Sequence, residues 1–125
     1  MDYSKLSDFE INKRVLALKS EIKPLAYPHN ADERSAGMVD INGAYHWFDF
    51  CNNPAKAWPI LFKNLIGIEP LYQFDDEDEE TSGGIHPDGE WEACHVRNNG
   101  IAFRSEHCNP LRAAMIVYLM MQEGE

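Results

Sequence analysis

The chain reads as an α+β protein, with a mostly antiparallel sheet of four to five strands packed against three helices. Three observations predict this: a capping box at the N-terminus, two Asn-Gly turns between apolar segments, and an Asn-Pro start ahead of a nearly all-apolar final segment. The order that follows is helix, hairpin, helix, strand, hairpin, helix, with runs of strands between helices as α+β folds require.

Ser7-Asp8-Phe9-Glu10 fits the S-x-x-E box, in which the Ser7 hydroxyl accepts from the amide of residue 10 and Glu10 reaches back. Leu6 and Ile11 stand at the positions of a hydrophobic staple. Ile11, Val15 and Leu18 form one apolar stripe, while Asn12, Lys13 and Lys19 are expected to cover the solvent side. The helix runs from about Asp8 to Lys19 and ends before Pro24.

Residues 20 to 35 carry two prolines and no period, and read as a loop. Asn42-Gly43 then predicts a hairpin with a two-residue turn, which sets Ile41 opposite Ala44, Val39 opposite His46 and Met38 opposite Trp47. Tyr45, Trp47 and Asp49 share one face; His46, Phe48 and Phe50 share the other. Asn53 is a good N-cap and Pro54 suits the first helical position, where its missing N–H costs nothing. Pro59 either kinks this second helix or starts a further short one, and Gly67 is placed to stop it in the left-handed conformation.

Ile68 to Phe74 reads as a strand, at an edge because of Pro70. The acidic run Asp75-Asp76-Glu77-Asp78-Glu79-Glu80 and the Gly- and Pro-containing residues after it predict a mobile loop at about 75–89. Trp91 to Val96 and Ile101 to Ser105 form a second hairpin around Asn98-Asn99-Gly100, with a two-residue or a bulged three-residue turn both open. The last helix starts at the Asn109 cap and Pro110, and is apolar on nearly every side.

At 125 residues the chain is read as a single domain with a sizeable core. The net charge is −10, but the acidic run supplies six of those charges and leaves an unremarkable −4. Lys and Arg are scattered, apart from the pair Lys13-Arg14, so no basic stripe is available to neutralise phosphates and direct nucleic-acid binding is not expected. The longest apolar run, Ala113 to Met121, is nine residues and falls short of a bilayer span. The N-terminus lacks the basic and apolar regions of a signal peptide, so a cytoplasmic location is expected. In that compartment Cys51, Cys94 and Cys108 are expected as free thiols.

Several segments together resemble the NinX-like family of lambdoid bacteriophage and prophage proteins. They are Met1-Asp2-Tyr3-Ser4-Lys5-Leu6-Ser7-Asp8-Phe9-Glu10-Ile11-Asn12, Cys51-Asn52-Asn53-Pro54 with Ala57-Trp58-Pro59-Ile60, Trp91 with Ala93, and Pro110 through Val117. The likeness runs nearly end to end, with the acidic run as a local elaboration. It implies a cytoplasmic protein of an infected or lysogenic bacterium, encoded among genes for recombination and late regulation. It implies no activity and carries over no catalytic residue.

Three chemistries are open from the residues. Cys94-His95 and His107-Cys108, on the two arms of the second hairpin, carry zinc's preferred ligand types, although adjacent strand residues point to opposite faces. Cys51 lies at a helix start, with His46 or His107 as base and Asp49 as orienter of a possible nucleophile. The acidic run could mimic nucleic acid before a host or phage DNA enzyme. Each has a plainer reading as hairpin side chains, a buried thiol and helix caps, or a solvated run. The preferred expectation is a non-catalytic accessory protein without cofactor, acting through protein–protein contacts. It is expected to be a homodimer through Leu111, Met115, Tyr118, Leu119 and Met120 of the last helix, with a host or phage protein as a further possible partner.

Overall fold

The computed structural model describes residues 1–20, 23–28, 30–74 and 85–123. A short 3₁₀ turn at Tyr3–Lys5 precedes α1 (Asp8–Ser20). There follow β1 (Ala36–Val39), β2 (Tyr45–Phe48), α2 (Pro54–Asn64), β3 (Gly67–Phe74), β4 (Ile85–Val96), β5 (Ala102–His107) and α3 (Pro110–Glu123). The class is α+β and every described pairing is antiparallel. The expected single sheet is instead two, β1-β2 and β3-β4-β5. The hairpin packs on α1 while the larger sheet packs on α3, so each sheet has a different helix as its floor.

The capping box forms as read, with the Glu10 amide donating to Ser7 Oγ at 3.1 Å. The buried side of α1 is rotated from the expected stripe. Asn12 and Leu16 are enclosed with Ile11 and Val15, whereas Leu18 stays partly exposed. β1 and α3 both pack on this helix, so it is covered over a wider arc than a one-sided surface helix would be.

The first hairpin closes with a three-residue loop, not two. Gly43 N–H donates to the Asp40 carbonyl at 3.0 Å and Asp40 N–H to that of Ala44 at 2.9 Å. Gly43 has φ +83°, while neither Ile41 nor Asn42 has the positive φ that a two-residue type I′ turn needs. Asp40 accounts for the choice, because its Oδ1 accepts from the amides of Asn42 at 2.8 Å and Ala44 at 3.0 Å. The register therefore slips by one from the expected pairs, with Val39 facing Tyr45, Met38 facing His46 and Gly37 facing Trp47. The second hairpin uses the same device, with Gly100 N–H donating to the Arg97 carbonyl at 2.8 Å and Gly100 at φ +87°.

The expected loop at 75–89 is shorter at its far end, since β4 begins at Ile85. Residues 75–84, including the acidic run, lie outside the described residues. The turn-forming sequence Pro87-Asp88-Gly89 sits in a strand because the register shifts there, between Pro70↔Trp91 and Tyr72↔Pro87. Gly89 at φ +86° and an Asp88 Oδ1 bond from the Glu90 amide at 2.8 Å make the irregularity a bulge rather than a reversal. This half of β4 has no β5 partner, so Pro87 removes no ladder bond on that side.

α2 is one helix that contains Pro59, capped by Asn53, whose Oδ1 accepts from the Ala55 amide at 3.0 Å. It ends earlier than expected. Leu65, not Gly67, takes the left-handed position (φ 55°, ψ 46°), its N–H bonded to the Leu61 carbonyl, and Gly67 opens β3. That geometry sends Ile66 into the core. α3 lies between α1, α2 and the larger sheet, and its residues Arg112 to Leu119 are all buried. The final helix is thus the centre of the core, joined there by Ile11, Leu16, Phe50, Ala57, Ile60 and Phe103.

Candidate functional site

The starts of α1, α2 and α3 meet at one polar junction. Asn109 caps α3 by accepting from the Leu111 amide at 3.0 Å, and its Nδ2 donates to the Cys51 carbonyl at 2.8 Å and to Asn52 Oδ1 at 3.0 Å. Asn52 Nδ2 donates to Asp8 Oδ2 at 3.0 Å and to both Asp49 oxygens at 3.1 Å. Asn12, fully buried, donates to Asp49 Oδ1 and to the Arg34 carbonyl, each at 2.9 Å, and accepts from the Cys51 amide at 3.1 Å. Every polar atom of that side chain is used, which is how a mid-helix amide can be buried without loss. Its expected place on the solvent side of α1 is a misreading, because Asn12 lies in the widened buried arc.

Arg112 completes the junction. Its Nη1 donates to Asp8 Oδ1 at 2.7 Å, and Nη2 donates to the carbonyls of Leu6 at 2.6 Å and Ser4 at 3.2 Å. The guanidinium fastens the N-terminal segment to α3, although its Nε has no hydrogen-bond partner among the described residues. At the other end of α3, Glu123 accepts from the Tyr3 hydroxyl at 2.5 Å and pairs with Arg14 at 3.4 Å.

The junction is a fastening, and the reactive triad foreseen for Cys51 does not assemble in it. Cys51 is fully buried, and burial, reinforced by the Asp8 and Asp49 carboxylates against the smaller opposing pull of Arg112, pushes its thiol far above the ordinary range. A nucleophilic cysteine needs the opposite shift. His46 Nε2 lies 2.8 Å from Asp40 Oδ2 at the hairpin turn, and His107 Nδ1 accepts from the Asn109 amide at 2.9 Å. No hydrogen bond links Cys51 Sγ to either ring among the described residues.

The metal candidates also stay apart. Cys94 pairs with Arg104 and His95 with Phe103, while His107 pairs with Trp91, three residues along β4 from Cys94. That separation is roughly 10 Å at strand rise. His95 Nδ1 lies 3.2 Å from the Leu65 carbonyl, and only Cys108 Sγ approaches its neighbour, 3.8 Å from His107 Nδ1. Among the described residues no group of three or more His, Cys, Asp or Glu could hold a metal ion.

The open surface is an apolar groove on α2. Ala57, Ile60 and Leu61 bury one side of this helix. The other side carries Trp58 at 44% exposure and Phe62 at 66%, and Leu65, just past the helix end, is 78% exposed. Pro54, Ala55, Trp58, Pro59, Phe62 and Leu111 line a groove of about 710 Å³. Trp58 and Phe62 hold each other edge to face at 5.0 Å. Asn109 ties the start of α3, which carries Leu111, to the segment that starts α2.

This relocates the apolar surplus expected on the last helix. Met115 and Leu119 are fully enclosed by their own chain and Tyr118 nearly so; Leu111 and Met120 are partly exposed. Of that expected set, only Leu111 lines the groove. The signal for α2 was present as Trp58 and Phe62 at i and i+4, hidden by the equally apolar Ala57, Ile60 and Leu61 around them.

The family model described as Bacteriophage P22, NinX matches residues 2–122. The chain belongs to the bacteriophage P22 NinX family. No curated protein matches it. The segments that carry the NinX likeness supply Asp8, Asn12, Cys51, Asn52 and Arg112 to the junction, where Asp49 and Asn109 join them. No helix among the described residues is long and apolar enough to cross a membrane.

Proposed function

We propose that this NinX family protein is a non-catalytic phage accessory protein that acts by binding another protein, and that the α2 face is its contact surface. The reading is carried by the exposed pair Trp58 and Phe62 on a helix whose opposite side is already buried, with exposed Leu65 just past its end. Clustered aromatic side chains in a preformed groove are the usual anchors of a protein interface. Leu65 adds to this. A left-handed backbone costs a non-glycine residue about 1–2 kcal/mol, and here it presents a large apolar side chain to solvent. Met115 and Leu119 of the expected α3 interface have no surface to offer, which favours α2 over α3 as the contact surface.

The test is affinity capture from phage-infected host cells with the full chain and with the double variant Trp58→Ser, Phe62→Ser. The variant is expected to keep the wild-type circular dichroism and lose the specific partner. Retention of every partner by a folded variant would refute the assignment of this face.

A further inference from the structure

The charges around α2 narrow the choice of occupant. Three concavities run along this helix: the groove, a second at its C-terminal end lined partly by Leu65, His95 and Arg97, and a third on its flank with Lys19, Pro59 and Lys63. Among the described residues no Asp or Glu lines any of the three. The fixed charges that the described residues bring to these linings are Lys19, Lys63 and Arg97, all positive. α2 carries two lysines and no acid. Lys63 forms no ion pair among the described residues.

A second copy seated on this face would set α2 against α2, with four lysines and no carboxylate from either helix. Like charges across an interface disfavour that pairing. Pro59 contributes a further feature. Lacking an N–H, it leaves the Ala55 carbonyl without its usual helical donor, on a residue that lines the groove.

We infer that the α2 face takes an acidic amphipathic helix from a partner protein. Apolar side chains of that helix, one turn apart, seat among Trp58, Phe62 and Leu111, and its carboxylates meet Lys63 and Arg97. This is the helix-in-groove mode of recognition with a charge-selective rim. The inference rests on the docking role proposed above and adds the partner's chemistry to it.

A displayed library of random 16-residue helical peptides, sorted on the soluble full chain and counter-sorted on the Trp58→Ser, Phe62→Ser variant, tests it. The expected survivors carry apolar residues at i, i+4 and i+7 and a net negative charge. A synthetic survivor should bind at least tenfold more weakly to Lys63→Glu than to wild type, and more weakly in 0.5 M salt for wild type alone. Survivors of neutral or positive charge would overturn the acidic partner while leaving the docking face standing. Absence of any peptide that depends on Trp58 and Phe62 would overturn both. A wild-type dimer in sedimentation that the double variant dissociates would make a second copy the occupant and overturn the inference likewise.

Discussion

α2 and α3 begin alike and end in opposite surroundings. Each has an asparagine cap followed by proline, and each is apolar over most of its length. Yet α3 buries every residue from Arg112 to Leu119, while α2 leaves Trp58, Phe62 and Leu65 exposed. The difference is one of layers. α3 is packed by α1, α2 and all three strands of the larger sheet, whereas α3 is the main element against which α2 rests. Apolar content therefore measures what a helix can bury, and its neighbours decide what it does bury.

The sharpest way to break this contrast is to cut one large side chain from each helix. Met115→Ala is expected to cost about 2–5 kcal/mol, as deletions at fully buried positions do, measured by urea unfolding. Phe62→Ser should cost less than about 1.5 kcal/mol, the upper range of its ring pairing with Trp58. Equal costs would mean that α2 is covered in solution and that the groove is closed.

Next in size is the junction that holds the two helix starts together. Arg112→Ala removes the partner of Asp8 and the donor to the Leu6 and Ser4 carbonyls, and is expected to cost about 3 kcal/mol. Asp8 keeps the Asn52 bond and some solvent access, which holds the cost toward the low end of the range for broken buried pairs. Unchanged stability in thermal unfolding would show that the junction is ornamental to the fold.

Leu65→Gly is expected to run the other way. Relief of the left-handed strain should raise stability by up to about 1 kcal/mol, while the loss of an exposed anchor weakens partner binding. A variant that is both more stable and fully competent in binding would remove Leu65 from the contact surface.

The smallest effect belongs to the first hairpin. The His46 ring and the amides of Ala44 and Asn42, bonded to Asp40, hold its carboxyl below the ordinary range. Stabilisation from this group is therefore complete above its unfolded value of about 3.9 and fades as the pH falls through the lower folded value. Asp40→Asn should lower stability slightly at neutral pH, where the carboxylate's contribution is complete, and flatten the acid limb of a stability-against-pH curve below about pH 4. An unaltered acid limb would show that the turn does not depend on the ionised form.

Much of this was legible in the residues themselves. The capping box, the Asn53-Pro54 and Asn109-Pro110 starts, the two glycine-containing turns and the α+β class follow from steric and hydrogen-bonding rules that act within four or five residues. The family was legible as well, because it is carried by linear motifs. The slip of the first hairpin was within reach too, since Asp40 is an Asx-turn residue in front of Asn42-Gly43.

Tertiary structure alone decided the rest. Whether Asn12 faces water or Asp49, whether Cys51 is a reactive thiol or a sealed one, and which apolar helix is left uncovered all depend on elements distant in the chain. The local code specifies a helix and its apolar positions. Burial is a property of neighbours, and a chain with more apolar surface than its layers can enclose leaves part of the surplus where the packing ends, as on the outer side of α2.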